Sequence, residues 1–407
     1  MRDEIEPRPR VLHIATSQND GGVERYSVQL AAGLAQNRVW VRFACLPGAI
    51  VQRLCQAAGV RTLPLEVRNS GDMQAVGQIA AHIKTQAIEI VHVHSRRDYL
   101  PALLGVALAR KRLSKGQTVP RLVLHAHLLR PLGTPPGLSS RVFARNADRV
   151  LAVSQAVQDA IGEWHQFAPG FVQVLHNGVD INRFCVPSLP TARQWRAEQR
   201  AEWGVDEGAL VVTMIGRLDA KGQQQVLALL PRLALRAPRV CVALVGSEGK
   251  PGSREALQTL ARAGGVADRV RFTGAREDIP QILAASDLVA HLPTDESFGL
   301  ALVEGMASGL PTIASNIGGC REVVRNGETG LLVPPGDEAA LMQAMLSLLE
   351  GDQASKRRVR LGAAGRARAE QEFSLAYQIG RLEEIYNDLC PYLERESAAR
   401  LAHPSRS

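Results

Sequence analysis

The sequence predicts an α/β protein of two doubly wound, Rossmann-like domains facing across a cleft. Three observations carry that expectation. Short runs rich in Val, Ile and Leu alternate with stretches of helical period, the pattern of buried parallel strands and the helices that cover them. The alternation runs its course twice over 407 residues, a chain too long for a single hydrophobic core. A polar stretch from Pro187 to Gly204, punctuated by Pro187 and Pro190, separates the two series.

In the first series the strand runs are Val11–Thr16, Val39–Leu46, Ile88–His94, Arg121–Ala126, Arg149–Val153 and Phe171–Leu175. Helical patterns fall between them at Val23–Ala35, Asp72–Thr85, Leu100–Arg112 and Gln155–Trp164. The second series places strands at Ala209–Gly216, Arg239–Gly246, Arg269–Gly274, Asp287–Leu292, Pro311–Ser315 and Gly330–Val333. Its helices are Gln223–Leu235, Ser253–Ala263, Gly299–Ser308, Glu338–Leu349 and Lys356–Glu372, and a last helix starts at Ser374 and reaches Tyr386 or a little beyond. The expected division is a first domain over 1–186, a linker over 187–208, a second domain over 209–373, and a C-terminal helix and tail over 374–407 that packs back on the first domain.

Composition narrows the function classes. Hydrophobic residues make up 45% and charged residues 22%, which supports packed cores rather than disorder. No run approaches the ~18 apolar residues of a membrane span, and Val11–Thr16 is too short for a signal-peptide core. The expected location is therefore the cytoplasm. The six cysteines are scattered without a C-x-x-C pair, against a zinc ribbon or a disulfide framework. The net charge of +8 is uneven: +9 over 1–186 and −1 over 187–407. A basic first half points to an anionic partner, whether a phosphorylated substrate, a nucleic acid or a membrane surface. Aromatics are only 4%, and without aromatics interleaved among the basic residues single-strand nucleic-acid binding has little support.

The most informative string runs from Thr294 through Glu296, Ser297, Phe298, Gly299 and Leu300 to Glu304. It follows a strand and opens a helix, with Ser297 as the expected N-cap. Free backbone N–H groups and the positive dipole end form an anion site there, and Gly299 leaves room for a phosphate. A carboxylate such as Glu304 can accept two hydrogen bonds from a ribose diol. A second string, Gly216-Arg217-Leu218-Asp219-Ala220-Lys221-Gly222, sets two cations at a strand-to-helix turn, where they can clamp a diphosphate or stand as solvated surface charges. Gly21 and Gly22 form a glycine turn between the first strand and helix, and they are not a dinucleotide fingerprint. His92 and His94, like His125 and His127, share one face of their strand. These histidines are core residues, a four-imidazole metal site, or hydrogen-bonders to a sugar or phosphate. His127 is the best placed for the last role. No carboxylate or Cys lies at ligand spacing to these histidines and no Asp-x-Asp is present, so the expected site has no metal and no cofactor.

Together these strings resemble the family 4 glycosyltransferases, retaining enzymes of the GT-B fold. The resemblance also covers Ala147 to Ser154, Asn177-Gly178-Val179-Asp180, and Gly318-Gly319 before Glu322. It implies an acceptor-binding first domain and a second domain that binds a nucleotide-diphosphate sugar. By the same resemblance Glu304 holds the ribose. Glu296 lies beside the transferred sugar with the backbone N–H groups of Phe298, Gly299 and Leu300. Arg217 and Lys221 neutralise the leaving diphosphate, His127 sits near the donor sugar, and Gly21 and Gly22 lie beside the donor phosphate. Four positions separate Arg217 from Lys221 where five is common in the family. The reaction that follows is metal-independent front-face transfer of a sugar to a hydroxyl, and the +9 charge of the first domain points to a glycan or glycolipid acceptor of cell-envelope or lipopolysaccharide type, with peripheral contact to an anionic membrane. The competing readings are a nucleotide-sugar hydrolase or epimerase on the same fold and a non-catalytic nucleotide-sugar-binding protein.

Overall fold

A computed structural model describes residues 9–18, 21–114, 117–128, 146–163 and 168–390. The chain divides into two compact units, Met1–Asn177 with Leu375–Ser407, and Gly178–Ser374.

The first unit is a seven-stranded, all-parallel sheet. Its strands are β1 (Arg10–Ile14), β2 (Trp40–Cys45), β3 (Thr62–Pro64), β4 (Ile90–Val93), β5 (Arg121–Ala126), β6 (Arg149–Ala152) and β7 (Val172–Val174), in the order β3-β2-β1-β4-β5-β6-β7. The order reverses between β1 and β4, the place where open parallel sheets take ligands at their carboxyl edge. Helices α1 (Gly22–Gln36), α2 (Ile50–Ala57), α3 (Met73–Thr85), α4 (Tyr99–Lys111) and α5 (Gln155–Gly162) connect them. Asp72 caps α3 by accepting from the Gln74 and Ala75 N–H groups, and Ser154 caps α5 through the Val157 N–H.

The second unit holds a six-stranded parallel sheet, β8 (Leu210–Ile215), β9 (Val240–Val245), β10 (Val270–Gly274), β11 (Leu288–His291), β12 (Thr312–Ser315) and β13 (Leu331–Val333), ordered β10-β9-β8-β11-β12-β13. Its reversal lies between β8 and β11. The helices are α6 (Pro190–Trp203), α7 (Gln223–Arg236), α8 (Ser253–Ala263), α9 (Ile279–Ala284), α10 (Leu300–Ala307), α11 (Cys320–Val323), α12 (Glu338–Leu349) and α13 (Asp352–Glu372). Val212, Leu230, Leu244, Leu288 and Met345 form a buried core over one face of the sheet.

A final helix, α14 (Leu375–Leu389), belongs to the first unit. Its Ile379, Leu382 and Tyr386 pack with Tyr26 and Leu30 of α1 over Val11, Ile90 and Val123 of the sheet. Gly33 permits this approach, because a Cβ there would lie 2.0 Å from Ile379 Cδ1.

Several expectations need correction. The stretch 187–208 is no linker: it carries α6, which packs on the second unit. Arg200, 3% exposed, donates to Asp287 Oδ2 at 2.7 Å and to the Ala285 carbonyl at 3.0 Å, and Arg196 reaches Asp287 Oδ1 at 2.8 Å. Its arginines read as solvent-facing only because the buried partner lies more than eighty residues away in sequence. The units also change at Asn177–Gly178 rather than at residue 186. The short elements α2, β3, α9 and α11 were not expected, each being too brief to impose a period.

Candidate functional site

Two loops of the second unit meet beside its strand-order reversal. The first leaves β8 as Gly216–Gly222. Gly216 has φ +132, and a Cβ there would stand 2.8 Å from Lys221 Cγ. The turn thus folds Lys221 back over its own start, which only glycine allows. Gln223 ties it down, accepting from the Lys221 N–H at 3.0 Å and donating to the Arg217 carbonyl at 2.9 Å. The second loop leaves β11 after His291. Here Glu296 Oε2 accepts from Lys221 Nζ at 2.6 Å and from His291 Nε2 at 2.7 Å, and Oε1 lies 3.4 Å from the Phe298 N–H.

Electrostatics fix the protonation of this group. Burial alone pushes the Glu296 carboxyl up, but the His291 hydrogen bond and the positive charge of Lys221 outweigh it and hold the carboxyl well below its usual range. His291 is fully buried, which holds its imidazole down and neutral. Its Nδ1 has no partner among the described residues, so the ring proton sits on Nε2 and is donated to Glu296. His291 was not singled out from sequence. Its position at the carboxyl end of a strand beside the sheet reversal was the available signal.

The helix α10 starts differently from expectation. Its N-cap is Gly299 in the left-handed region (φ +99, ψ 58), not Ser297, and no side chain caps it. A left-handed residue turns the chain into the helix without using a side-chain oxygen, so the first turn is left for an outside anion. The loop is pinned from below. The Gly319 N–H donates to the Glu296 carbonyl at 3.0 Å, and a Cβ on Gly319 would meet Phe298 Cα at 2.4 Å. Phe298, 2% exposed, stacks edge-on against Phe373 at 5.7 Å. Its side chain is therefore an anchor, and only its backbone faces the loop. Leu300 is the first residue of α10, one position after the expected start at Gly299.

Glu304 lies on α10 one turn further along. It is half-buried, and no hydrogen bond to its carboxylate is found among the described residues. Burial pushes its carboxyl up to about 7, with Arg183 pulling the other way. A carboxylate kept poorly solvated and unpaired is a socket for hydroxyl donors. Arg217 stands apart from the Lys221 pair. Its side chain is 64% exposed, with Asp219 3.5 Å away.

In the first unit His13, His92, His94, His125 and His127 lie on one face of the sheet. His13 stands opposite His92, His92 stands opposite Val123, and alternation brings the others to the same side. All five are buried, and burial pushes them down, His13 and His127 to about 3, so all are neutral at pH 7. Two trios, His13-His92-His94 and His94-His125-His127, bring ring nitrogens within 4.8 Å of one another. The cross-strand contacts are edge-to-edge hydrogen bonds between rings, as close as 2.8 Å. Gly21 is the extended N-cap of α1, with φ −128, and Gly22 is exposed. Near the carboxyl ends of β1 to β3 a cavity of about 160 Å³ is lined by Thr16, Gln18, Glu66, Arg68 and Arg97. A wider surface groove of about 520 Å³ lies beside Arg236 and Glu350, away from this chemistry.

Known proteins resemble this chain along most of its length. Residues 20–183 match the family description Glycosyltransferase Family 4, and residues 196–368 match Glycosyl transferases group 1. The D-inositol 3-phosphate glycosyltransferase of Rhodococcus jostii is 30% identical over 364 residues, 80% of this chain and 77% of that protein. The chain belongs to glycosyltransferase family 4. The like-named protein of Mycobacteroides abscessus is 34% identical over 209 residues, 50% of this chain and 45% of its own length. The chain thus spans about half the length of the first curated relatives it matches. Among solved structures, Anabaena Alr3699/HepE in complex with UDP and glucose superposes with a TM-score of 0.80 at 25% identity, covering 94% of this chain and all of that one. Family 4 membership and this superposition establish the two-sheet architecture as the GT-B fold.

Proposed function

We propose that this chain is a retaining glycosyltransferase that moves a sugar from a nucleotide-diphosphate sugar to a hydroxyl of an anionic acceptor. The observation that carries the reading is the joining of Lys221, Glu296 and His291 beside an uncapped helix start, with the unpaired Glu304 on the same helix. Glu304 takes the ribose diol. The N–H groups of Gly299 and Leu300, with Arg217 and Lys221, receive the diphosphate. Lys221 has three donors and spends one on Glu296, which keeps the ammonium fixed where charge develops. Preorganised charge of this kind is the usual main source of acceleration.

The chemistry follows from what leaves. The anomeric carbon–oxygen bond breaks, and the nucleoside diphosphate departs with the electron pair. The acceptor oxygen bonds to the same face of the anomeric carbon, and its proton passes to a leaving phosphate oxygen. Glu296 is charge-paired and held ionised, which suits orientation of sugar hydroxyls rather than attack. The chain's own cations supply the positive charge, and turnover is expected to persist in EDTA. HepE is bound to UDP and glucose, which favours a UDP-sugar donor here as well.

The acceptor belongs to the basic first unit. Residues 1–186 carry a net charge of +9, which fits an anionic group, and relatives are named for an inositol phosphate. The wider reading is a glycan or glycolipid of cell-envelope or lipopolysaccharide type, with peripheral membrane contact. No helix among the described residues is long and apolar enough to cross a membrane. The six free thiols suit a reducing compartment such as the cytoplasm.

The test is incubation with UDP-, GDP- and ADP-sugars, with and without inositol phosphates or envelope glycolipids. Sugar transfer that depends on acceptor supports the reading. Nucleoside diphosphate released at the same rate without acceptor makes the chain a hydrolase, and binding without turnover makes it a sensor. Flotation with anionic liposomes at low salt separates a membrane-borne acceptor from a soluble one.

A further inference from the structure

The two carboxylate oxygens of Glu296 are used unequally. Oε2 accepts from Lys221 Nζ at 2.6 Å and from His291 Nε2 at 2.7 Å. A carboxylate oxygen offers about two lone-pair sites, so Oε2 is fully subscribed. Among the described residues Oε1 meets only the Phe298 N–H, at a long 3.4 Å. The Glu296 side chain keeps 13% exposure, and with Oε2 taken the opening for an outside donor lies at Oε1.

The direction of the His291 bond is decided by its partner. An ionised carboxylate has lone pairs and no proton, so Nε2 carries the hydrogen. Nδ1 is buried without a partner among the described residues. As a lone pair it is an underused acceptor, which a buried site tolerates better than a stranded N–H. The opposite tautomer would set two lone pairs against each other at 2.7 Å, and an imidazolium would strand an N–H at Nδ1. The remaining groups near the carboxylate are Lys221 and Cys320 at the start of α11, whose thiol burial pushes up and keeps neutral. Asp295 and Arg217 stand exposed in the same two loops.

His291 is the last residue of β11 and its ring is 2% exposed, so the sheet holds it, whereas Lys221 reaches in on a long flexible stem. Without the ring the ammonium would be the main anchor. The last torsion of a glutamate side chain is soft and two-fold, so Lys221 would straddle both oxygens and compete with a substrate hydroxyl for Oε1. We infer that His291 is a positioning residue: by filling the second site on Glu296 Oε2 it keeps Lys221 off Oε1 and leaves that oxygen as the acceptor for one hydroxyl of the donor sugar. The inference rests on the glycosyltransferase reading for the sugar. The anchoring of Glu296 is a property of the free protein.

Carbon-13 spectra of the glutamate-labelled full chain read the anchoring, with the Glu296 signal assigned by its loss in Glu296→Gln. In the wild type this carboxyl stays ionised at pH 4.5, the ordinary value for the group. In His291→Leu burial is opposed mainly by Lys221, and the titration moves up by about one pH unit or more, the equivalent of one hydrogen bond to a charged group. In His291→Gln the side-chain amide donates to Oε2 and the wild-type titration returns. Wild-type amide shifts along β8, β9 and β12 certify folded variants. Should His291→Leu not fold, His291→Asn replaces it, since its shorter amide misses Oε2.

Turnover reads the consequence for the sugar. The probes are the UDP-, GDP- or ADP-sugar that the protein uses fastest and the monodeoxy analogues of that sugar. In the wild type one analogue loses about 10- to 100-fold in kcat/KM, the factor carried by a hydrogen bond to a charged acceptor. In His291→Leu that penalty shrinks to within about threefold while the other analogues keep their wild-type ratios, and His291→Gln restores it. A role in packing alone would lower every analogue equally. An unchanged Glu296 titration or an unchanged deoxy penalty in His291→Leu overturns the inference. So does failure of His291→Gln to restore them, since bulk and not the hydrogen bond would then be what His291 supplies. If no activated sugar is turned over, the titration still decides the anchoring and the transferase reading falls alone.

Discussion

Replacing Glu304 with Gln is expected to stabilise the free protein and weaken its hold on nucleotide. The carboxyl is raised from its ordinary 4.5 to about 7 by burial. The folded state therefore binds this proton more tightly than the unfolded chain does. The cost of the group is absent below pH 4.5, grows as pH rises toward 7, and is complete above it. The shift corresponds to on the order of 2 kcal/mol above pH 7, after discounting for the solvent that still reaches the half-buried carboxyl. Glu304→Gln removes that cost, so thermal unfolding should move up by several degrees at pH 8 and not at pH 4. Nucleotide affinity should move the other way. Gln keeps one acceptor oxygen, so the loss of one hydrogen bond to a charged acceptor, about 1.5–3 kcal/mol, gives roughly a 10- to 100-fold loss in UDP affinity by calorimetry. In the wild type, affinity should fall about tenfold from pH 8 to pH 6 as the ionised fraction drops. The terminal phosphate of UDP also titrates near pH 6, so the contribution of Glu304 is the part of that slope missing from Glu304→Gln. An unchanged melting temperature at pH 8 together with wild-type UDP affinity would refute the argument.

Other outcomes follow from the same geometry. Lys221→Ala leaves Glu296 with His291 alone, and donor turnover should fall at least ~100-fold in steady-state assays; Arg217→Ala should do the same, and full activity in either removes the diphosphate clamp. Gly319→Ala drives a Cβ into the Phe298 backbone, so donor affinity measured by calorimetry should drop while α6 and its Asp287 anchor stay folded by amide exchange. Asp287→Ala strands Arg200 in a buried site, and stability should fall by ~3–5 kcal/mol in chemical denaturation, with loss concentrated in the second unit.

The legibility of this chain followed the reach of its interactions. The two parallel series were readable because buried strands repeat Val, Ile and Leu over five or six positions and the helices between them keep a 3.6 period. The loops that carry Lys221 and Glu296 were legible because each follows directly on an apolar strand run, and Glu304 because it lies on the helix that the second loop opens. Helix α6 was not, since its Arg196 and Arg200 look solvated until Asp287 is brought to them by the fold. His291 was passed over for the same reason: its partner Glu296 is close in sequence, but the ammonium completing the group comes from β8. The capping of α10 was misread because Ser297 is the better cap chemically, while Gly299 alone can take the backbone angle. The histidine rows were seen only as strand pairs, because cross-strand register is invisible along a sequence.

The first unit is interrupted in the chain. Its sheet is complete by Asn177, but α14, which brings Ile379, Leu382 and Tyr386 to cover that sheet, is synthesised only after the whole second unit. At a translation rate of ~5–20 residues per second, the intervening two hundred or so residues take roughly ten to forty seconds to emerge. During that interval the apolar furrow beside α1 lies bare on the ribosome. Until α14 emerges, the first unit lacks the Ile379, Leu382 and Tyr386 side chains that cover its sheet, so a truncation at Ser374 removes part of the first unit's core rather than a dispensable tail.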